Sequence, residues 1–184
     1  CSADMNVWKL IKHNKFSDLY AHGHRINSTH NFKWKDVKKK SWNHLYLSDF
    51  NMHKVEFKKT TLHDVYLKGR FDKVHFGKDT LIDQSTFSGE FLGVTFAGAT
   101  ITNTRFENAR FAHGGHMHLI NSSFAGARFE NVSFENVTFN QHVSFEGAKF
   151  GNNVSFAGVK IETNCGGFVM MTDDISARFI KDIH

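Results

Sequence analysis

The sequence contains no proline. Proline cannot donate to a hydrogen-bonded ladder, so its absence fits strands paired on both sides, where every N–H is needed. Cysteine is nearly missing too: Cys1 and Cys165 are too few for a disulfide framework and lack the spacing of zinc ligands. A Cys1–Cys165 bridge is the one pairing available, and residues at opposite ends of an elongated fold are badly placed for it. No stretch approaches the roughly 18 apolar residues that a membrane-spanning helix needs. Tyr and Trp are sparse at three each, yet there are 20 Phe. A core built mainly on one large side chain implies a repeated packing position, because an irregular core needs varied shapes.

The net charge of +5 is unevenly spread over the 184 residues. Residues 1–92 carry 16 Lys or Arg against 10 Asp or Glu, whereas residues 93–184 carry 7 against 8. An electrostatic partner surface is therefore expected toward the N-terminal end.

What the chain has in abundance is a five-residue period. Large apolar residues fall at Phe106 and Phe111, then Phe124, Phe129, Phe134 and Phe139, and continue at Phe145, Phe150, Phe156 and Ile161. The steps lengthen to six at 139–145 and 150–156. Two residues before each stands a small or β-branched one: Thr104, Ala109, Ser122, Ala127, Val132, Val137, Val143, Ala148, Val154, Val159. A spacing of two puts both side chains on one face of an extended segment. The residue between is polar every time, as at Arg105, Arg128 and Ser133. After the large residue comes a two-residue corner, commonly ending in Asn or Gly, which tolerate turn conformations. A helix cannot use this pattern, since 3.6 residues per turn would smear it around the circumference. Turns every five residues leave strands too short to pair as hairpins. A chain that corners this often must coil, pairing each strand with its counterparts one coil above and below.

Read as Ala/Val-x-Phe-x-Asn/Gly, with ARFENVSFENVTF at 127–139, the chain resembles the pentapeptide-repeat family, with Phe in place of the commoner central Leu. The resemblance implies an all-β, right-handed quadrilateral β-helix with four repeats per coil. The phase continues backward more loosely through Phe32, Val37, Trp42, Leu47, Met52, Phe57, Leu62 and Leu67. It then runs through Phe71, Phe76, Leu81 or Ile82, Phe87, Phe91, Phe96 and Ile101. Lys35 and Lys40 occupy nominally small inward positions there. The expected organisation is an N-terminal extension or cap over 1–29, a β-helix over 30–162 and a C-terminal cap over 163–184. Six to seven coils at about 4.8 Å each make a rod roughly 30 Å long. Its raw ends need covering: residues 4–20 suit an amphipathic helix, and Thr172-Asp173-Asp174 resembles a second helix start.

No nucleophile motif, glycine-rich phosphate loop or His-Glu-x-x-His is present, so neither an enzyme nor a cofactor is expected. Three polar features remain. His113, His116 and His118 interrupt the repeats, and are read either as a solvated extruded loop or as weak candidates for zinc or copper. Lys33, Lys35, Lys38, Lys39 and Lys40 form a basic run beside Trp34, read either as a solvated edge or as a contact for phosphates or anionic lipid. Cys1-Ser2-Ala3-Asp4 resembles the start of a mature bacterial lipoprotein, whose Cys is acylated. If Cys1 is lipidated, the protein belongs to the cell envelope; otherwise it is cytoplasmic or a secreted effector.

The function expected is a bacterial scaffold that docks other proteins within a larger assembly. The alternatives are an effector docking module and a DNA-mimicking topoisomerase binder. The second needs an acidic face, which a charge of +5 disfavours. Specific nucleic-acid binding is not expected.

Overall fold

The computed structural model describes residues 41–163 throughout, together with the backbone of 26–27, 31–32, 37–38 and 168–170. Both expected capping helices, Cys1, Cys165, Lys33, Lys35, Lys39 and Lys40 lie outside the described residues. Among the described residues the regular structure is all strand.

Strand pairing follows from the repeat. Ser41 lies beside Thr61, Thr61 beside Leu81, Leu81 beside Thr100, Thr100 beside Arg128 and Arg128 beside Lys149, always in parallel. The chain thus returns to the same side after every fourth repeat, and four columns of inward side chains result. The first side stacks Trp42, Leu62, Ile82, Ile101, Phe129 and Phe150. The second stacks Leu47, Leu67, Phe87, Phe106, Phe134 and Phe156. The third stacks Met52, Phe71, Phe91, Phe111, Phe139 and Ile161. The fourth stacks Phe57, Phe76, Phe96, Phe124 and Phe145. Earlier strands continue these columns, with Ile26 beside Leu47, Phe32 beside Met52 and Val37 beside Phe57.

The core is therefore a bundle of aromatic stacks. Within a column, Phe rings lie nearly parallel at centroid distances such as 4.4 Å for Phe71–Phe91 and 5.0 Å for Phe106–Phe134. Across the rod they meet edge to face, as in Phe87–Phe96 at 5.9 Å and 88°. Both are favoured arrangements of aromatic quadrupoles, together worth roughly 0.5–1.5 kcal/mol per pair beyond area burial. Phe106, Phe111, Phe124, Phe129, Phe134, Phe139, Phe145 and Phe156 are buried, while Phe150 in the last described coil is partly exposed. At the ambiguous step Ile82 points inward and Leu81 outward, 38 % exposed.

The corner residues adopt positive φ, as at Asn103 (49°), Asn131 (53°) and Gly126 (67°). Asn and Gly accept this left-handed conformation with little steric cost, which explains their place in the repeat. Irregular repeats are compensated one coil away. Phe50 fills a position that elsewhere holds a small residue, and Gly69 in the next coil makes room for it. A Cβ on Gly69 would stand 2.5 Å from the Phe50 carbonyl oxygen. Where Thr104 and Ser122 replace Ala or Val, their buried hydroxyls donate to the carbonyls of Thr102 and Ala112, both at 2.8 Å. No polar atom is stranded there. After the strand Lys160–Glu162 the chain reverses, and Phe168–Met170 pairs with it antiparallel.

Truncating Phe134 to Ala is expected to cost about 3–5 kcal/mol, because it empties a stack that cannot collapse without moving both neighbours. Arg128→Ala, at an exposed outward position, should stay within about 0.5 kcal/mol. Thermal melts followed by circular dichroism separate the two; equal melting temperatures would refute this core.

Candidate interaction surface

The outward residue of each strand also stacks once per coil, so the surface is a set of ladders. On the second side the outward column reads Tyr46, Tyr66, Thr86, Arg105, Ser133. Tyr46 and Tyr66 lie ring on ring at 4.4 Å and 3°. Partial burial raises the Tyr66 hydroxyl's pKa, and its neighbour Tyr46 adds to the effect. Arg105 is exposed beside them, with Glu107 3.8 Å away.

Carboxylates in the early coils are taken up by histidines one coil away. The Nδ1 of His44 donates to Asp64 at 2.7 Å, that of His53 to Asp72 at 2.6 Å, and that of His63 to Asp83 at 3.1 Å. Asp83 also accepts from Thr102 at 2.7 Å and Asn103 at 2.9 Å. Burial pushes the Asp83 carboxyl up, but these hydrogen bonds outweigh it and its pKa lies below the usual value. On the third side Arg110 grips Glu162 through two parallel bonds of 3.0 Å, with Glu90 at 3.8 Å. The bonds from Arg110 hold the Glu162 carboxyl below its ordinary range, against the opposing effect of burial.

The extra residues between Phe111 and Phe124 form a hairpin at the corner between the third and fourth sides. Gly114 and Ile120 exchange backbone hydrogen bonds of 2.8 and 2.9 Å. The hairpin lies back over buried Gly93, where a Cβ would meet the Ile120 oxygen at 3.0 Å and the Gly114 nitrogen at 3.1 Å. Its outer part exposes Met117 (92 %), Leu119 (61 %) and Ile120. His113, His116 and His118 are also exposed, and no cluster of three His, Cys, Asp or Glu suited to a metal occurs among the described residues. Of the Lys33–Lys40 run only Lys38 falls within the described backbone, beside Lys58 on the fourth side. Residues 41–92 hold seven basic and seven acidic side chains, so the N-terminal charge surplus falls within residues 1–40. The tyrosine pair was readable in principle, since Tyr46 and Tyr66 are one coil apart. The seat of the hairpin was not, because nothing local connects Gly93 with Gly114.

With this geometry in place, comparison with known proteins is informative on one stretch. Residues 124–165 match the family "Pentapeptide repeats (9 copies)". This stretch is a run of pentapeptide repeats. The columns it starts from extend unbroken down to Trp42, so the pentapeptide-repeat coil accounts for the described core as a whole. No curated protein matches the sequence. Among solved structures, the chain is similar to a trypsin-treated form of QnrB1, a plasmid-mediated fluoroquinolone resistance protein. The two share 12 % identity over 84 % of this chain and 94 % of that one, with a TM-score of 0.29. It is also similar to the pentapeptide-repeat protein Rfr23 of the cyanobacterium Cyanothece, at 10 % identity over 77 % and 97 % of the two chains and a TM-score of 0.23. A third is HetL of the cyanobacterium Nostoc, involved in regulating heterocyst differentiation, at 10 % identity over 85 % and 98 % with a TM-score of 0.19.

The Arg110–Glu162 bond gives a pH dependence with a definite sign. A folded-state pKa below the unfolded value adds stability above the unfolded value, about 4.3 for Glu, and that stability is lost as pH falls through the folded value. Glu162→Gln should therefore destabilise the fold at neutral pH, by no more than about 1 kcal/mol for a partly exposed pair, and lower the melting temperature accordingly. The gap from wild type should close in acid. A gap independent of pH would assign the loss to packing.

Proposed function

We propose that this pentapeptide-repeat rod is a non-catalytic scaffold that docks protein partners on its second side. The observation that carries the reading is the outward column of Tyr46, Tyr66, Thr86 and Arg105. Tyr and Arg supply much of the energy at protein interfaces because they combine contact area with directed polar groups. Here the two rings hold each other in place by stacking at 4.4 Å, so little side-chain entropy remains to be lost on binding. The column stands on a backbone hydrogen-bonded coil to coil, which presents it as a rigid, flat strip. The motifs of the chain support no reaction, which agrees with a docking role.

Mimicry of DNA fits less well. It requires a surface dominated by carboxylates, and residues 41–163 carry twelve acidic and twelve basic side chains. Several of those carboxylates are already committed to His44, His53, His63 and Arg110.

A photoreactive amino acid at position 86, in the middle of the column, should cross-link a discrete partner in cells that make the protein naturally. The same group at position 61, outward on the first side, should not. Tyr66→Ala or Arg105→Ala should reduce the adduct about tenfold or more, the loss typical of an interface anchor. Equal cross-linking from both positions, or none from position 86, would overturn the assignment.

A further inference from the structure

The hairpin and the corner it lies on share a feature that docking on the second side does not use. Three of the four exposed large apolar side chains among the described residues, Met117, Leu119 and Ile120, sit on this one protrusion. Water contact at Met117 is nearly complete. The protrusion is also held in place: Gly93 and Gly114 let its base lie flush on the rod, and a Cβ on Gly114 would come within 2.9 Å of the Leu92 oxygen.

Backbone bonds run from this seat straight to two lysines. Gly93 N donates to Ala112 O at 3.0 Å, Lys73 N to Leu92 O at 2.9 Å and Lys54 N to Asp72 O at 2.9 Å. Lys54, Lys73 and Gly93 are therefore successive members of one corner, and the hairpin adjoins Lys73. Both lysines are held at positive φ, 52° and 54°. The later coils fill such corners with Asn or Gly, which suit the conformation better. Lysine in this conformation carries a local steric cost, which His44, Lys59 and Gln84 share at the other early corners, and it sets both side chains at the edge of the rod. Lys58, Lys59 and Lys78 follow Phe57 and Phe76 at the far edge of the fourth side, with Lys38 beside Lys58 in register. Asp72, next to Lys73 in the same corner, is bonded by His53 at 2.6 Å; at the far edge Glu56 bonds Lys58 at 3.2 Å and Asp79 follows Lys78. No carboxylate pairs with Lys54, Lys59, Lys73 or Lys78 among the described residues.

We propose that the edge between the third and fourth sides seats the rod on an anionic membrane surface, the hairpin tip entering the headgroup region while the lysines contact lipid phosphates. The tip is convex, so it suits a surface that yields to it and is apolar beneath. The flanking cations match the sign of an anionic leaflet, where each lysine near the surface strengthens attachment about fivefold. The first and second sides meet at the corner diagonally opposite, so the protein-docking column would face away from the bilayer. The proposal does not depend on that column.

The test is co-sedimentation of the full chain with vesicles of phosphatidylcholine mixed with phosphatidylglycerol, against pure phosphatidylcholine, over a range of salt. Wild type should bind the anionic vesicles, more weakly as salt rises, and leave the neutral ones largely alone. Met117→Asp with Leu119→Asp should cut binding about tenfold or more while leaving the melting temperature unchanged, since the tip lies outside the core. Lys54→Glu with Lys73→Glu should weaken binding similarly and flatten its salt dependence. Equal binding to both vesicle types, or no binding to either, would overturn the proposal. Loss with the lysine pair alone, the tip variants binding as wild type, would reduce the edge to a general polyanion attractor and overturn it as well.

Discussion

Everything in this rod depends on each coil returning to the register of the one before. Parallel neighbours must pair residue for residue, and a slip of one would turn every inward Phe to solvent. The columns enforce this, because a ring that stacks at 4.4–5.0 Å on its counterpart, as in Phe71–Phe91 and Phe106–Phe134, has only one good position. Differences in length are therefore driven to the corners. The step from Leu67 to Phe71 is one residue short, that from Phe76 to Ile82 one residue long, and that from Phe111 to Phe124 expelled as a hairpin, yet all six rings and side chains lie in their columns.

The corners are where sequence freedom and conformational constraint meet. Each must turn the chain by about a right angle in two residues, and the second of them takes positive φ in coil after coil. The later coils answer with Asn or Gly. The earlier ones place His44, Lys54, Lys59, Asp64, Lys73 and Gln84 there instead. A side chain larger than Asn at such a corner is set at the outermost edge of the rod, where a charge is fully hydrated. The early coils thus trade some local backbone preference for charged edges, and the late coils do the reverse.

The core of the later coils was legible in the sequence because each repeat carries its own small-polar-large signature, complete within five residues. The earlier coils were harder because their compensations are not local. Phe50 looks out of phase until Gly69, nineteen residues on, is seen to lie beneath its ring. Leu81 and Ile82 could not be told apart by composition, both being apolar and β-sheet-prone; only the pairing of Leu62 with Ile82 decides. The hairpin announced itself as an interruption, but its backbone closure and its seat on Gly93 depend on which residue lies one coil below. Arg110 and Glu162, 52 positions apart, are joined by the same arithmetic of coils, which a linear reading does not supply. The charge run at Lys33–Lys40 was obvious as composition, whereas the lysines of the third–fourth edge are scattered singly and become a group only when the chain is wound.

The same winding decides which charges are left over. A carboxylate and a histidine one coil apart on the same ladder come within hydrogen-bond reach, and His44–Asp64, His53–Asp72 and His63–Asp83 all do so. His44–Asp64 and His63–Asp83 lie at the first–second corner and His53–Asp72 at the third–fourth corner, and together they take up three of the acids of the early coils. Lys54 and Lys73 stand on the ladder next to His53 and Asp72 in that corner, while Lys59 and Lys78 stand at the far edge of the fourth side. Overall the stretch 41–92 is electrically balanced, yet its surface is not, because period and register sort acids and bases onto different columns. A solenoid with no net charge can in this way carry a cationic edge, and net charge alone is a poor guide to what such a rod will bind. What matters is the charge that remains on each ladder after coil-to-coil pairing, and at the third–fourth corner that remainder is Lys54 and Lys73, beside the apolar protrusion.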